Sequence, residues 1–202
     1  MIVTSKFGAI KMINAKKAFT MLELIFVIVI VGILSFIAAS SFQRNTVIEA
    51  ADQVVSHIRY TQHLAMMDDK FTPSNANWFR GRWKIAFDAN NSYSISSDKN
   101  FNNIIETTDF AVDPLDSNSR LTGTTNEKLN LAKKFGIITI TNNCSPIGNT
   151  IFFDYLGRPL RANTTTYAQA DLIQGSCTII FNNGTNTRTI RIHGETGYAS
   201  IE

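Results

Sequence analysis

The longest apolar run of the chain lies near its N-terminus. From residue 24 to residue 43, twenty consecutive residues carry no charge, and the run reads LIFVIVIVGILSFIAASSFQ. A helix of this length spans roughly 30 Å, the thickness of the hydrocarbon core of a bilayer. The run therefore predicts a membrane-spanning helix rather than a buried core helix. Lysines precede it and only Arg44 follows closely, so we expect residues 44–202 to lie across the membrane from the cytoplasm.

A second apolar pattern follows the first, and the chain has no proline before Pro73. Between residues 44 and 70, apolar or small side chains recur at spacings of four and three, which is one stripe of an amphipathic helix. These residues are Val47, Ala51, Val54, Ile58, Thr61 and Ala65. The pattern predicts one continuous helix from Phe19 to about Asp69, roughly 75 Å long, whose second half packs on a sheet.

Farther along the chain the pattern changes to the short alternating runs of β-strands. Strands are predicted at residues 83–87, 93–97, 135–141, 150–155, 178–182, 187–193 and 198–201. Residues 98–130 are rich in Asn, Asp, Ser and Thr and are expected to form a long, irregular or variable loop. The predicted fold class is α+β: a long N-terminal helix, transmembrane in its lower half and amphipathic in its upper half, packed on a C-terminal antiparallel β-sheet domain.

The charges are unevenly distributed along the chain. Its formal net charge is +3, but residues 1–18 contain four lysines and no acid. The remaining 184 residues carry 15 basic and 16 acidic groups, a net charge of −1. The basic character therefore belongs to the N-terminal segment and does not by itself indicate nucleic-acid binding.

No arrangement of side chains indicates catalysis, a metal site or a cofactor. His57 and His63 are six residues apart on the predicted helix, so they point about 240° apart, and His193 stands alone in a strand. The aspartates of residues 98–130 lack the spacing of a calcium loop, and calcium binding there is only a minor alternative. Asn90 lies in a DANNS sequence that resembles a bacterial glycosylation sequon, a weak candidate in so asparagine-rich a chain.

The segment KKAFTMLEL at residues 16–24, followed by the long apolar run, resembles the prepilin signal of type IV pilins and type II secretion pseudopilins. It joins a basic leader, a small residue before Phe19 and an acid four residues later. Ala18 stands where the family usually has Gly, and it keeps the site small. The resemblance implies cleavage between Ala18 and Phe19 by a prepilin peptidase, N-methylation of Phe19, and assembly with other pilins or pseudopilins on an inner-membrane platform.

Glu23 is the acid of this segment. A carboxylate just inside the hydrocarbon boundary costs on the order of 2.5–3.5 kcal/mol, so it needs a partner. The α-amino group that cleavage would create on Phe19 is the expected positive charge near that depth. One alternative pairs it with Glu23 of the same helix. The family resemblance implies instead a pairing with the neighbouring subunit, which makes Glu23 the residue that sets the register of assembly.

Small residues also follow one face of the apolar run. Gly32, Ser35 and Ala39 would let another helix approach closely, although such residues are also ordinary in transmembrane helices. Cleavage after the run near Ala39, as in a secreted protein, is a minor alternative.

The rest of the chain resembles, more weakly, the H-type minor pseudopilins and their FimT-like relatives. The resemblance lies in residues 54–67, 151–158 and 189–198. It implies a structural, non-enzymatic minor subunit of a type II secretion pseudopilus, held in the inner membrane with its C-terminal domain in the periplasm and then incorporated in the pseudopilus. The alternatives are a minor type IV pilin for DNA uptake or adhesion, and a signal-anchored periplasmic protein.

Some FimT-like relatives bind DNA through a basic C-terminal tail. This chain ends in GYASIE, with an acid and no arginine, so direct nucleic-acid binding is not predicted. Arg188 and Arg191 are interpreted as part of a solvated strand face.

The predicted organisation has four parts. They are a cleaved leader at 1–18, the transmembrane helix half at 19–43, the amphipathic half at 44–70 and a periplasmic globular domain at 71–202 that includes the variable loop 98–130. Export from the cytoplasm permits a disulfide between Cys144 and Cys177, closing a loop of about 34 residues and worth about 3–4 kcal/mol. Two free buried thiols are the alternative.

Overall fold

The structure is a computed structural model that describes residues 19–41, 45–145, 149–165 and 171–202. The chain separates into two compact units, with the boundary between residues 44 and 45. The predicted leader, including Ala18, lies outside the described residues. The described part of the first unit is helix α1 (Met21–Ser41), with the two residues that precede it.

Helix α1 has no polar face. Leucine, isoleucine, valine and phenylalanine occupy all sides of the helix, and every described side chain from Phe19 to Ile37 is exposed. Among the residues that the structure describes, none of the helices meets the length and apolarity required to cross a bilayer. The transmembrane character predicted for residues 24–43 is therefore not supported.

The second unit begins with helix α2 (Thr46–Met67). Sequence analysis predicts one helix through this point, whereas the structure has a break: Asn45 has a ψ of 87°, outside the helical region. Asparagine is a poor residue for a helix interior and a common one at a helix start. Its carbonyl accepts from the N–H groups of Ile48 and Glu49, at 3.0 and 3.3 Å, and so starts a new helix. Residues 42–44 lie outside the described residues.

The second unit contains ten described strands. They are β1 (Lys84–Phe87), β2 (Tyr93–Ser96), β3 (Val112–Asp113), β4 (Asp116–Arg120), β5 (Thr139–Asn142), β6 (Thr150–Phe153), β7 (Pro159–Leu160), β8 (Ser176–Asn182), β9 (Thr187–His193) and β10 (Ala199–Ile201). They form one four-stranded sheet in the order β2-β1-β6-β7, a second in the order β10-β9-β8-β5, and the separate pair β3-β4. All strand pairs are antiparallel.

One hydrophobic core connects α2 with both four-stranded sheets. All six residues of the predicted stripe are buried, and Ala50 and Val55 are buried beside them. The inner face of β8 places Cys177, Ile179 and Phe181 in this core, as expected from the alternation of a half-buried strand. The α+β fold with an N-terminal helix and a C-terminal antiparallel sheet domain is thus confirmed.

Residues 98–130 are not the irregular loop that their composition predicts. They contain the β3-β4 hairpin and two short 3₁₀ helices, Thr107–Asp109 and Glu127–Leu129. Their backbone also pairs with β2, because Ile95 donates its N–H to the Leu121 carbonyl at 2.9 Å and accepts from the Ala111 N–H at 2.9 Å. Ala111 and Leu121 are buried, so this segment belongs to the folded unit and covers the edge of β2.

The strand predicted at residues 135–141 is also only partly present. Residues Leu131–Phe135 form a short helix, α3, which ends at Gly136 with a φ of 70°. Glycine adopts this left-handed conformation without a Cβ penalty and is a frequent helix terminator. The strand β5 therefore begins only at Thr139.

Candidate processing and assembly site

The start of helix α1 is set by Thr20. Its hydroxyl accepts a hydrogen bond from the backbone N–H of Glu23 at 3.2 Å, and its carbonyl accepts from Leu24 N–H at 3.1 Å. A threonine in this arrangement is an N-cap, which satisfies a backbone donor that the first helical turn leaves unpaired. Phe19 therefore lies outside the helix, and its side chain is 78% exposed.

Sequence analysis did not identify Thr20 as a functional residue. The signal that identifies it is its spacing to Glu23, because a threonine followed three residues later by glutamate is the sequence of a capping box. The predicted cleavage site thus lies just before an N-cap, Thr20, which fixes where helix α1 begins.

Glu23 lies in the first turn of α1, and its side chain is exposed. The partial positive charge of a helix N-terminus favours a carboxylate at this position. Within the described part of the chain, its carboxylate makes no ion pair. The geometry leaves this carboxylate accessible to a cation, and its pairing with an amino group on Phe19 stays a prediction.

Gly32 and Ser35 of α1 lie where a second helix would meet them without obstruction. A Cβ atom added at Gly32 would have nothing within 4 Å, and Ser35, three residues on, is exposed. The side chain of Ala39 is outside the described part of α1. Helix packing at these three positions stays a prediction.

Cys144 and Cys177 form a disulfide, with their Cα atoms 4.9 Å apart. Both are buried, at 1% and 3% exposure. Cys144 follows β5 and Cys177 lies in the neighbouring strand β8, so the bond joins two adjacent strands of the second sheet. The structure therefore has the bridged arrangement and not the alternative of two free thiols.

The two arginines of β9 are engaged within their own sheet. Arg191 binds both carboxylate oxygens of Glu202, at 2.5 and 2.8 Å, and also donates to the Ser176 hydroxyl. This hydrogen bonding lowers the pKa of the Glu202 carboxyl and raises that of the guanidinium. Arg188 donates to the Thr187 carbonyl.

The remaining candidates are placed as follows. His63 is exposed, whereas His57 contacts Tyr93 on β2. Asn90 lies in the exposed turn between β1 and β2, where its N–H donates to Asp88. Among the described residues, no group of three or more histidine, cysteine or acidic side chains is placed to hold a metal ion.

The N-terminal region of the chain matches the prokaryotic N-terminal methylation motif over residues 13–39. The match contains the predicted cleavage junction, Thr20, Glu23 and most of α1. It supports a type IV pilin-like or pseudopilin family, and it implies processing by a prepilin peptidase and assembly with other pilins. Comparisons of the chain with curated proteins and with solved structures gave no match.

Proposed function

We propose that this protein is a structural minor pseudopilin of a type II secretion machine, processed by prepilin peptidase and assembled through helix α1. The observation that carries the proposal is the methylation motif, which coincides with a capped helix whose described side chains are exposed on every side. A contiguous apolar surface of this extent needs lipid or other subunits to cover it. The second unit, with its own core, is the part that the assembled subunit displays.

In this proposal the subunit is held in the inner membrane before assembly, with its N-terminus in the cytoplasm and its sheet domain in the periplasm. The Cys144–Cys177 disulfide supports this location of the second unit, because disulfides persist in the periplasm and are rare in the cytoplasm. The proposal keeps the four-part organisation of leader 1–18, helix halves 19–43 and 44–70, and globular domain 71–202. The two helix halves are separate helices, because the helix is interrupted at Asn45.

The proposed mechanism begins with hydrolysis of the peptide bond between Ala18 and Phe19. This step creates a free amino group on Phe19, which is then N-methylated and remains charged at neutral pH. The amine pairs with Glu23 of a neighbouring subunit as the α1 helices pack, so each subunit enters at one register. The protein itself catalyses no step.

A minor type IV pilin for DNA uptake or adhesion is the alternative that shares every feature of the N-terminal region. The secretion assignment rests on the weaker resemblance of the chain beyond residue 53 to H-type minor pseudopilins and their FimT-like relatives. Deletion strains separate the two: loss of protein secretion with normal transformation supports the pseudopilin, and the reverse result supports the pilin.

The first experiment is the intact mass of the membrane-extracted protein from the wild type and from a strain without prepilin peptidase. We expect a wild-type species that begins at Phe19 and is one methyl group heavier, and a species with the leader in the mutant strain. A chain that keeps residues 1–18 in both strains, or that is cut near Ala39, would show a signal-anchored or secreted protein instead.

A further inference from the structure

A polar cluster lies between helix α2 and strand β2, outside the processing and assembly site. Its centre is Tyr93, which is 1% exposed and whose hydroxyl contacts two side chains of α2. His57 Nδ1 lies 2.6 Å from the hydroxyl, and Gln53 Nε2 lies 2.8 Å from it. Buried polar groups of this kind are normally fully hydrogen-bonded, so the protons of the cluster can be assigned.

The assignment of these protons fixes the protonation state of His57. The Gln53 amide can only donate through Nε2, so the Tyr93 oxygen accepts from it and the Tyr93 hydroxyl proton is free to point at His57 Nδ1. Nδ1 must then be an acceptor, which makes the imidazole neutral with its proton on Nε2. When His57 is protonated, Nδ1 becomes a donor and the buried Tyr93 hydroxyl proton loses its acceptor.

The same glutamine ties α2 to residues 126–135, which comprise the 3₁₀ helix Glu127–Leu129 and helix α3 and are called here the α3 segment. Gln53 Oε1 accepts from Lys134 Nζ at 2.5 Å, and Gln53 Nε2 also donates to the Lys128 carbonyl at 2.9 Å. A change in how Gln53 and Tyr93 share their hydrogen bonds therefore acts directly on the attachment of the α3 segment.

The charged groups that act on His57 come from two elements, β3 and α3. Burial lowers the pKa of His57 from 6.5, Asp113 of β3 raises it, and Lys134 of α3 lowers it; burial is the largest of these causes and the pKa is lowered overall. Burial also raises the pKa of Tyr93, so its hydroxyl keeps its proton. A protonated imidazole would face the Lys134 ammonium with its positive charge, which adds repulsion where the segment is attached.

We propose that His57, Tyr93, Gln53 and Lys134 form a pH-sensitive latch that holds the α3 segment against α2 while His57 is neutral and loosens it when His57 is protonated. The unfolded or opened state takes up the proton at the ordinary histidine pKa, near 6.5, and the latched state only at a lower pH. The stabilisation is therefore complete above pH 6.5 and is lost as the pH falls from there to the lowered pKa of the latched state.

Hydrogen exchange of the full-length chain in detergent, at about pH 7.5 and about pH 5.0, tests the latch because these values bracket histidine titration. After correction for intrinsic exchange, we expect protection of the α3 segment to fall about tenfold for each pH unit by which the pKa of His57 is lowered. The hairpin of β8 and β9 serves as the reference and keeps its protection. The variant His57→Gln, which still offers an acceptor to Tyr93 but does not titrate, should lose this pH dependence.

His63→Gln replaces an exposed histidine of the same helix and should behave as the wild type does. Unchanged protection of the α3 segment at low pH, an equal loss in the reference hairpin, or the same pH dependence in His57→Gln would each overturn the proposal. If His57→Gln does not fold, NMR titration of the His57 imidazole in the wild type still tests the latch. A His57 midpoint clearly below 6.5 supports the latch, and a midpoint at or above 6.5 contradicts it.

Discussion

At the scale of single residues, the N-terminal region places a cap and an acid within one turn. Thr20 bonds the backbone of Glu23, so the residue that starts the helix also holds the residue proposed to set its register. The hydrogen bond to Thr20 involves only the backbone N–H of Glu23. The Glu23 carboxylate takes no part in it and is exposed. Thr20 thus caps the start of α1, and Glu23, which is proposed to set the register of assembly, lies three residues on.

Replacing Glu23 by Gln should prevent assembly while leaving cleavage at Phe19 intact. The amide keeps the size of the side chain but removes the charge that would pair with a neighbouring amino group. The measurement is the fraction of processed protein that co-sediments with filaments overproduced in the same strain. Asp52→Asn is the matched control, since it removes one exposed carboxylate from α2 and should leave assembly unchanged. Equal incorporation of both variants would contradict the role of Glu23.

Replacing Thr20 by Val removes the hydroxyl acceptor and should destabilise the first turn of α1 by about 1 kcal/mol, the usual contribution of an N-cap. NMR of the full chain in detergent reads this directly as faster exchange of the Glu23 amide and a loss of helical chemical shifts at Met21 and Leu22. Thr20→Ser keeps the hydroxyl and should retain the wild-type values. Identical spectra for Val and Ser would show that the hydrogen bond does not determine where α1 starts.

At the scale of secondary structure, elements with a clear hydrophobic period were predictable, including the short strands β1 and β2, whereas those within residues 98–130 were not. The stripe of α2 is correct at all six positions because a helix of 22 residues repeats its period many times. Residues 98–130 were mistaken for a loop, and each of their strands and 3₁₀ helices is two to five residues long. Strand β4, for example, reads DSNSR and has no apolar residue, so no hydrophobic alternation marks it in the sequence.

The buried stripe of α2 makes a quantitative prediction. Ile58 is fully buried in the core, and Ile58→Ala should lower the free energy of unfolding of the second unit by about 2–5 kcal/mol through lost burial and the cavity that remains. Denaturant unfolding of the full chain in detergent, followed by tryptophan fluorescence, measures the change, because both tryptophans belong to the second unit. His63→Ala, on the exposed face of the same helix, should change stability by less than about 0.5 kcal/mol.

At the scale of the whole molecule, the sequence predicted the α+β fold class but not how the strands are divided between sheets. Alternation within single strands does not show which strands share a sheet, so two four-stranded sheets and a separate hairpin could not be predicted. The contact of His57 with Tyr93 joins residues 36 positions apart and depends on how α2 lies on β2. The residues of the proposed processing and assembly site could be predicted because they lie close together along the chain. The latch residues could not, because they come from three separate elements.

The disulfide acts on the stability of the whole second unit. The double variant Cys144→Ser with Cys177→Ser should unfold about 3–4 kcal/mol more easily than the oxidised protein, because the bridge restricts a long loop in the unfolded chain. Unfolding of the wild type with and without reductant should reproduce that difference, and the double variant should not respond to reductant. A wild-type protein whose stability is independent of reductant would show that the bridge does not contribute.

The segment that covers β2 has a consequence for polymerisation. An open strand edge invites the same edge of another molecule, and this is a common route to amyloid-like aggregates. In the first sheet, residues 110–122 pair along β2, and Leu172 pairs with Leu160 of β7, so each outer strand is met by further backbone. In the proposed assembly through α1, these covered edges keep the first sheet from forming a second, uncontrolled polymer. Deletions within residues 98–130 should therefore expose the edge of β2 and lower the solubility of the chain.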